Sequence, residues 1–179
     1  MGYTGGSTKN PTYHDLADHT ETVQFDFDPA KVSYGELVAR FFGAHDATRS
    51  STRRQYMSAL FTHEAEQESV ARSIMARVQE KSKDVIRTLI IPLTDFHLAE
   101  DYQQKYALQG DRILSREFRA MYPDIWDLVD SPAATRVNAY LYGCGTAELL
   151  STELDSLGLS DAGKARLQTG SPVAACSVK

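Results

Sequence analysis

One carboxylate, two thiols and two His-Asp pairs are the groups in this chain whose placement could do chemistry. Glu21 stands in the segment His19-Thr20-Glu21-Thr22-Val23-Gln24-Phe25-Asp26-Phe27. Residues two apart on a strand share a face, so Glu21 is in phase with Val23, Phe25 and Phe27. An acid on that apolar face is poorly solvated, which favours its neutral form and suits it to donate a proton. The alternative is a strand that begins at Thr22 and leaves Glu21 in solvent. Cys144 and Cys176 are the two cysteines of the sequence. Cys144 lies between Gly143 and Gly145, where one helix ends and Thr146 caps the next, and a thiol near a helix N-terminus is acidified. It is a candidate redox cysteine. The plain alternative is a pair of inert, reduced thiols, since no disulfide framework and no C-x-x-C zinc spacing is present. His14-Asp15 and His45-Asp46 raise metal-dependent phosphate hydrolysis, but such sites need further spaced ligands, and the five histidines supply no such set. The run Gly2 to Gly6 fits neither phosphate-binding glycine pattern.

The elements that would position these groups alternate. Residues 1 to 18 read as a loop rich in Gly, Asn and Pro, and a strand follows through Val23, Phe25 and Phe27. Ser33 and Glu36 form a capping box before a helix carrying Leu37, Val38, Phe41 and Phe42 on one side. A polar loop from His45 to Arg54 leads to a second strand over Gln55 to Thr62. Glu64 and Glu66 open a helix whose Val70, Ile74 and Val78 recur at i+4. Val85 to Ile91 reads as a third, buried strand stopped by Pro92. The remainder is helical: Asp111 to Tyr122, a helix capped by Ser131-Pro132 that stops at Gly143, and one from Ala147 to Gly158.

The chain has 179 residues, 42% hydrophobic, with a net charge of -5. That suits one soluble domain over residues 1 to 168 with a flexible tail over 169 to 179. Mild acidity argues against general nucleic-acid binding, and no apolar run approaches a membrane span. No signal peptide is visible, which places the chain in the cytoplasm, or in an organelle if a targeting segment precedes Met1.

In order along residues 2 to about 106, short motifs resemble the peptide methionine sulfoxide reductase A family. Gly2-Tyr3-Thr4-Gly5-Gly6 and Asn10-Pro11-Thr12-Tyr13 resemble its V-G-Y-x-G-G…N-P-T-Y, and His19-Thr20-Glu21 its G-H-x-E. Gln55-Tyr56-Met57-Ser58 resembles Q-Y-R-S. Phe96-His97-Leu98-Ala99-Glu100-Asp101-Tyr102 resembles F-Y-x-A-E-D-Y. The resemblance implies an α+β fold of the ferredoxin-like α/β sandwich type. It implies Glu21 as the proton donor toward a sulfoxide oxygen, with Tyr13 and Tyr56 hydrogen-bonding that oxygen. It further implies oxidised methionine, free or in proteins, as substrate, thioredoxin as reductant, and neither cofactor nor metal. Cys144 and Cys176 match resolving cysteines by position.

Departures accompany the match. Ala47 replaces the proline of H-D-P-T, Met57 the arginine of Q-Y-R-S, and Arg49 to Arg54 stands where the family has Q-G-N-D, whose aspartate Asp46 does not replace. The family's nucleophile lies in G-C-F-W-G, a strand and a helix before G-Y-x-G-G. That motif does not occur in this sequence, and Met1 alone precedes Gly2. The expectation is therefore a domain missing its first βα unit, extended by C-terminal helices, inactive as given, and poorly stable or self-associating. The alternative is a non-catalytic module that binds methionine sulfoxide peptides.

Overall fold

Ser33 caps α1 (Tyr34–Gly43) as its spacing predicts: its hydroxyl accepts from the Glu36 amide while the Glu36 carboxylate accepts from the Ser33 amide at 2.8 Å. Those bonds from Ser33 hold the Glu36 carboxyl below its ordinary value. α2 (Ala65–Lys81) carries Glu66 and Glu68 in its first turn, where they face the positive end of the helix dipole. Val38 and Phe42 of α1 pack with Ala71 and Ile74 of α2 around Ile90. In this computed structural model, residues 1–172 are described. They divide into a unit from Met1 to Glu100 and a second unit from Asp101 onward. Cys176 lies outside the described residues, as does the tail beyond Pro172.

The first unit is a mixed arrangement of strands and helices. β1 (Gly2–Thr4) is central to a three-stranded sheet, with β2 (Thr20–Thr22) and β5 (Phe96–Leu98) antiparallel on its two sides. β3 (Ala59–Thr62) and β4 (Leu89–Pro92) pair in parallel, joined by a crossover that contains α2. The loop expected over residues 1 to 18 therefore contains a strand. Gly2 is required there, because a Cβ would lie 2.5 Å from the His97 carbonyl oxygen and from the Phe96 ring.

Two strand expectations are corrected. The second strand does not start at Gln55: Arg54–Tyr56 is a 3-10 turn, and pairing begins at Ala59. The third starts at Leu89 rather than Val85, and both Leu89 and Val85 are exposed. The larger correction concerns the segment after Thr22. Pairing stops there, with Val23 67% and Phe25 60% exposed, while Thr20 is 3% exposed. Alternation identified a strand-like stretch, but no neighbour pairs with it among the described residues.

The second unit is helical. α3 (Tyr106–Gly110), α4 (Leu114–Met121), α5 (Ile125–Asp130), α6 (Pro132–Leu141), α7 (Ala147–Glu153) and α8 (Asp161–Gly170) share one core. Leu108, Leu114, Phe118, Val137 and Leu167 are fully enclosed in it. Ser131 and Thr146 cap α6 and α7 as expected, each accepting from an amide three residues on. Positive φ at Gly143 and Gly158 ends the turns that follow.

Candidate functional site

The β2-β1-β5 pairing aligns three side chains in a row. Tyr3 lies opposite Glu21 on one side and His97 on the other, and directly paired residues share a sheet face. Tyr3 is 1% exposed, and its hydroxyl donates to Glu100 Oε2 at 2.6 Å. The other Glu100 oxygen accepts from the Tyr13 amide at 2.9 Å. Burial pushes the Glu100 carboxyl upward, but these two bonds outweigh it and hold the group below its ordinary value. One carboxylate thus ties the loop bearing Tyr13 to the strand that faces Glu21.

Glu21 is half-buried on β2, and Gln55 Nε2 donates to its Oε1 at 2.8 Å. Thr20 Oγ1 donates to the Arg54 carbonyl at 3.0 Å, so β2 and the Arg54–Tyr56 turn are held together at two points. Arg54 also ties the turn to the segment around β1 and β2, since its guanidinium donates to the backbone carbonyls of Asp18 and Gly5. The expected packing of Glu21 with Val23, Phe25 and Phe27 is not observed. Thr20, not Glu21, occupies the buried position, and the apolar residues that were to desolvate the acid face solvent or end half-buried.

The glycine-rich opening is held by Asp18. Its carboxylate accepts from the Ser7 amide at 2.7 Å, the Ser7 hydroxyl at 2.9 Å, and both the amide and hydroxyl of Thr8. The Ser7 amide bond, followed by the hydroxyl bonds, holds this carboxyl far below the usual range. Gly6 permits that approach, because a Cβ would lie 2.6 Å from Asp18 Oδ1 and from the His19 ring. His19 is buried, and its Nε2 donates to the Thr8 carbonyl at 2.7 Å. Its Nδ1 is buried with no hydrogen-bond partner among the described residues.

Tyr13 is 40% and Tyr56 53% exposed, and neither hydroxyl bonds to another described residue. Two phenolic hydroxyls and a carboxyl with one oxygen uncommitted among the described residues are groups able to hydrogen-bond an incoming polar oxygen. Of the five residues nominated from sequence, Glu21 and the turn carrying Tyr56 are brought together directly. Tyr13 is linked to them through Glu100 and Tyr3. Cys144 belongs to the second unit, and Cys176 is outside the described residues.

Gln55, Arg54, Asp18 and Glu100 hold this arrangement, and sequence reasoning gave none of them a task. Gln55 and Glu100 fall inside matched motifs, which marks them without saying what they bind. The His45-Asp46 pair serves locally. His45 Nδ1 donates to the Phe41 carbonyl while Nε2 meets the Ser58 hydroxyl at 2.7 Å, and Asp46 accepts from Thr48. Among the described residues no group of three or more His, Cys, Asp or Glu is placed to hold a metal ion.

Comparison with known proteins gives a consistent result. The family model described as peptide methionine sulfoxide reductase matches residues 1–120. The chain is 36% identical over 162 residues to a peptide methionine sulfoxide reductase of Drosophila melanogaster, covering 89% of this chain and 65% of the relative. It is 40% identical over 114 residues to one from Rhodopirellula baltica, covering 59% of each. It is 34% identical over 119 residues to peptide methionine sulfoxide reductase A2 of Arabidopsis thaliana, covering 62% of this chain and 55% of the relative. The chain thus spans between about half and two thirds of the length of these relatives.

Proposed function

The chain belongs to the peptide methionine sulfoxide reductase family, and from that premise we propose that its first unit forms the oxygen-binding side of a peptide-methionine (S)-S-oxide reductase site. Tyr13 and Tyr56 donate hydrogen bonds to the sulfoxide oxygen, and Glu21 delivers the proton that lets it depart. In the complete reaction a cysteine thiolate attacks the sulfoxide sulfur. Methionine leaves, and the thiolate sulfur, now bearing the oxygen, becomes a sulfenic acid. A second thiol condenses with it, releasing water, and thioredoxin reduces the resulting disulfide. Cys144 and Cys176 are candidates for that second thiol.

The observation that carries the reading is the 2.8 Å bond from Gln55 to Glu21, which joins residues 34 apart and sets the Tyr56 turn against the acid's strand. No cysteine occurs in residues 1–100, so the attacking thiolate of the complete reaction is not among them, and this part of the chain supplies sulfoxide binding. A further βα unit in a ferredoxin-like sandwich fits the same picture: β2 and β3 each pair along one edge, and Val23 and Phe25 lie uncovered.

The test is binding of a short peptide containing the S-sulfoxide, the R-sulfoxide or unmodified methionine. The S-sulfoxide peptide is expected to bind best, and Tyr13→Phe and Tyr56→Phe each to weaken it about tenfold, the equivalent of one hydrogen bond of ~1.4 kcal/mol. Equal affinity for all three peptides would end this reading.

A further inference from the structure

The loop from Arg49 to Arg54, which departs from the family pattern, lines a cavity of about 580 Å³ together with Arg87. Three arginines, Arg49, Arg54 and Arg87, are among the residues that line it, and no Asp or Glu among the described residues does. Arg49 has a counter-ion outside the lining, Asp46 at 3.7 Å. Arg54 donates to two backbone carbonyls, which orient its charge without neutralising it. Arg87 has no side-chain hydrogen bond or ion pair with a described residue. Two further lining residues, Ser58 and Thr88, hold their hydroxyls 2.8 Å apart beside His45. Met57 and Ile86 add an apolar wall.

This concentration of positive charge stands against a chain of net charge -5. Guanidiniums present paired donors that match a carboxylate, and an apolar wall beside them suits a side chain on a peptide rather than a bare inorganic ion. The cavity also adjoins the candidate site through the chain itself. Arg54 and Met57, which line it, bracket Gln55 and Tyr56. Resting on the functional reading above, we propose that this cavity takes the carboxylate of an Asp or Glu flanking the oxidised methionine. The chain thereby selects acidic peptide segments.

The experiment uses four labelled peptides of one length, with methionine or its S-sulfoxide between acidic or neutral flanks, titrated with the full chain. The flank contrast tests this proposal, and the oxidation contrast tests the functional reading. Acidic flanks are expected to tighten binding about fivefold at low salt, with the gain shrinking as salt rises. The overall charge of the chain predicts the opposite sign, so a gain is diagnostic of a local site. The double substitution Arg49→Gln with Arg87→Gln is expected to abolish the gain, and Arg87→Lys alone to retain part of it. Both residues are exposed, so neither change threatens the fold. Acidic peptides that bind no better than neutral ones overturn the proposal. So does a gain that the double substitution leaves intact. A flank contrast without an oxidation contrast supports the cavity's assignment and removes the functional reading instead.

Discussion

The second unit gathers most of its leucines into one cluster that draws on each of its helices from α3 to α8, with Leu108, Leu114, Phe118 and Leu167 fully enclosed, while Ile113, Met121, Trp126 and Leu149 stay exposed outside it. The first unit has two smaller clusters, one between α1 and α2 and one around Tyr3, and leaves Val23, Phe25, Val85, Leu89 and Leu98 exposed. The difference lies in where each element finds its partner. Helices satisfy their own backbone and need only a neighbouring apolar stripe, which here comes from near and distant helices alike: α3 packs on α4 and α6, and α8 on α4 and α6. A strand needs a second strand at its edge, and that partner can lie far away in sequence or be absent.

The sharpest way to break this comparison is Phe118→Ala. Opening a cavity in the helical core is expected to cost about 4 kcal/mol. Hydrogen exchange should lose protection across 106–170 while 1–100 is unchanged, and an even loss across both units would remove the distinction. Asp111→Ala comes next, at about 2 kcal/mol. Asp111 is buried and accepts from the Leu114 and Ile113 amides and from Arg166 Nε at 2.7 Å. Burial pushes its carboxyl up, but those bonds prevail and the folded value lies below the ordinary one. Its contribution is therefore complete above the unfolded value of about 3.9 and is lost as pH falls through the folded one. Urea melts of wild type and variant should converge at low pH, and a gap that widened on acidification would contradict the assignment.

Tyr3→Phe sharpens the comparison from the other side. Loss of the Tyr3 bond to Glu100 is expected to cost about 1.5 kcal/mol and to loosen the loop bearing Tyr13, which Glu100 also holds. Backbone exchange at Tyr13 should rise while that of α4 does not. The smallest effect is expected from Val23→Ser with Phe25→Ser, within about 0.5 kcal/mol, because both side chains are already exposed. Destabilisation above about 2 kcal/mol would mean that this segment is packed in solution and that both units bury their apolar residues alike.

Capping residues were legible because their signals are local. Ser33 with Glu36, Ser131 before Pro132, and Thr146 each lie within three residues of the amide they satisfy. The short strands β1 and β5 were not, since Gly2-Tyr3-Thr4 is a strand only by virtue of pairing with residues near 21 and near 97. The site divides in the same way. Motif order nominated Glu21, Tyr13 and Tyr56, whereas the alternation rule assigned Glu21 the wrong surroundings because it assumes that the strand continues.

By itself the sequence determined α1, α2, α4, α6 and α7, the caps at Ser33, Ser131 and Thr146, and the family, and it nominated Glu21, Tyr13 and Tyr56, because each rests on residue type and short spacing. Only the tertiary structure decided which groups hold them. Gln55 on Glu21, Glu100 between Tyr3 and Tyr13, and Arg54 on the carbonyls of Gly5 and Asp18 are contacts across 34 to 97 residues of chain. A hydrogen bond depends on distance in space, which no local pattern encodes.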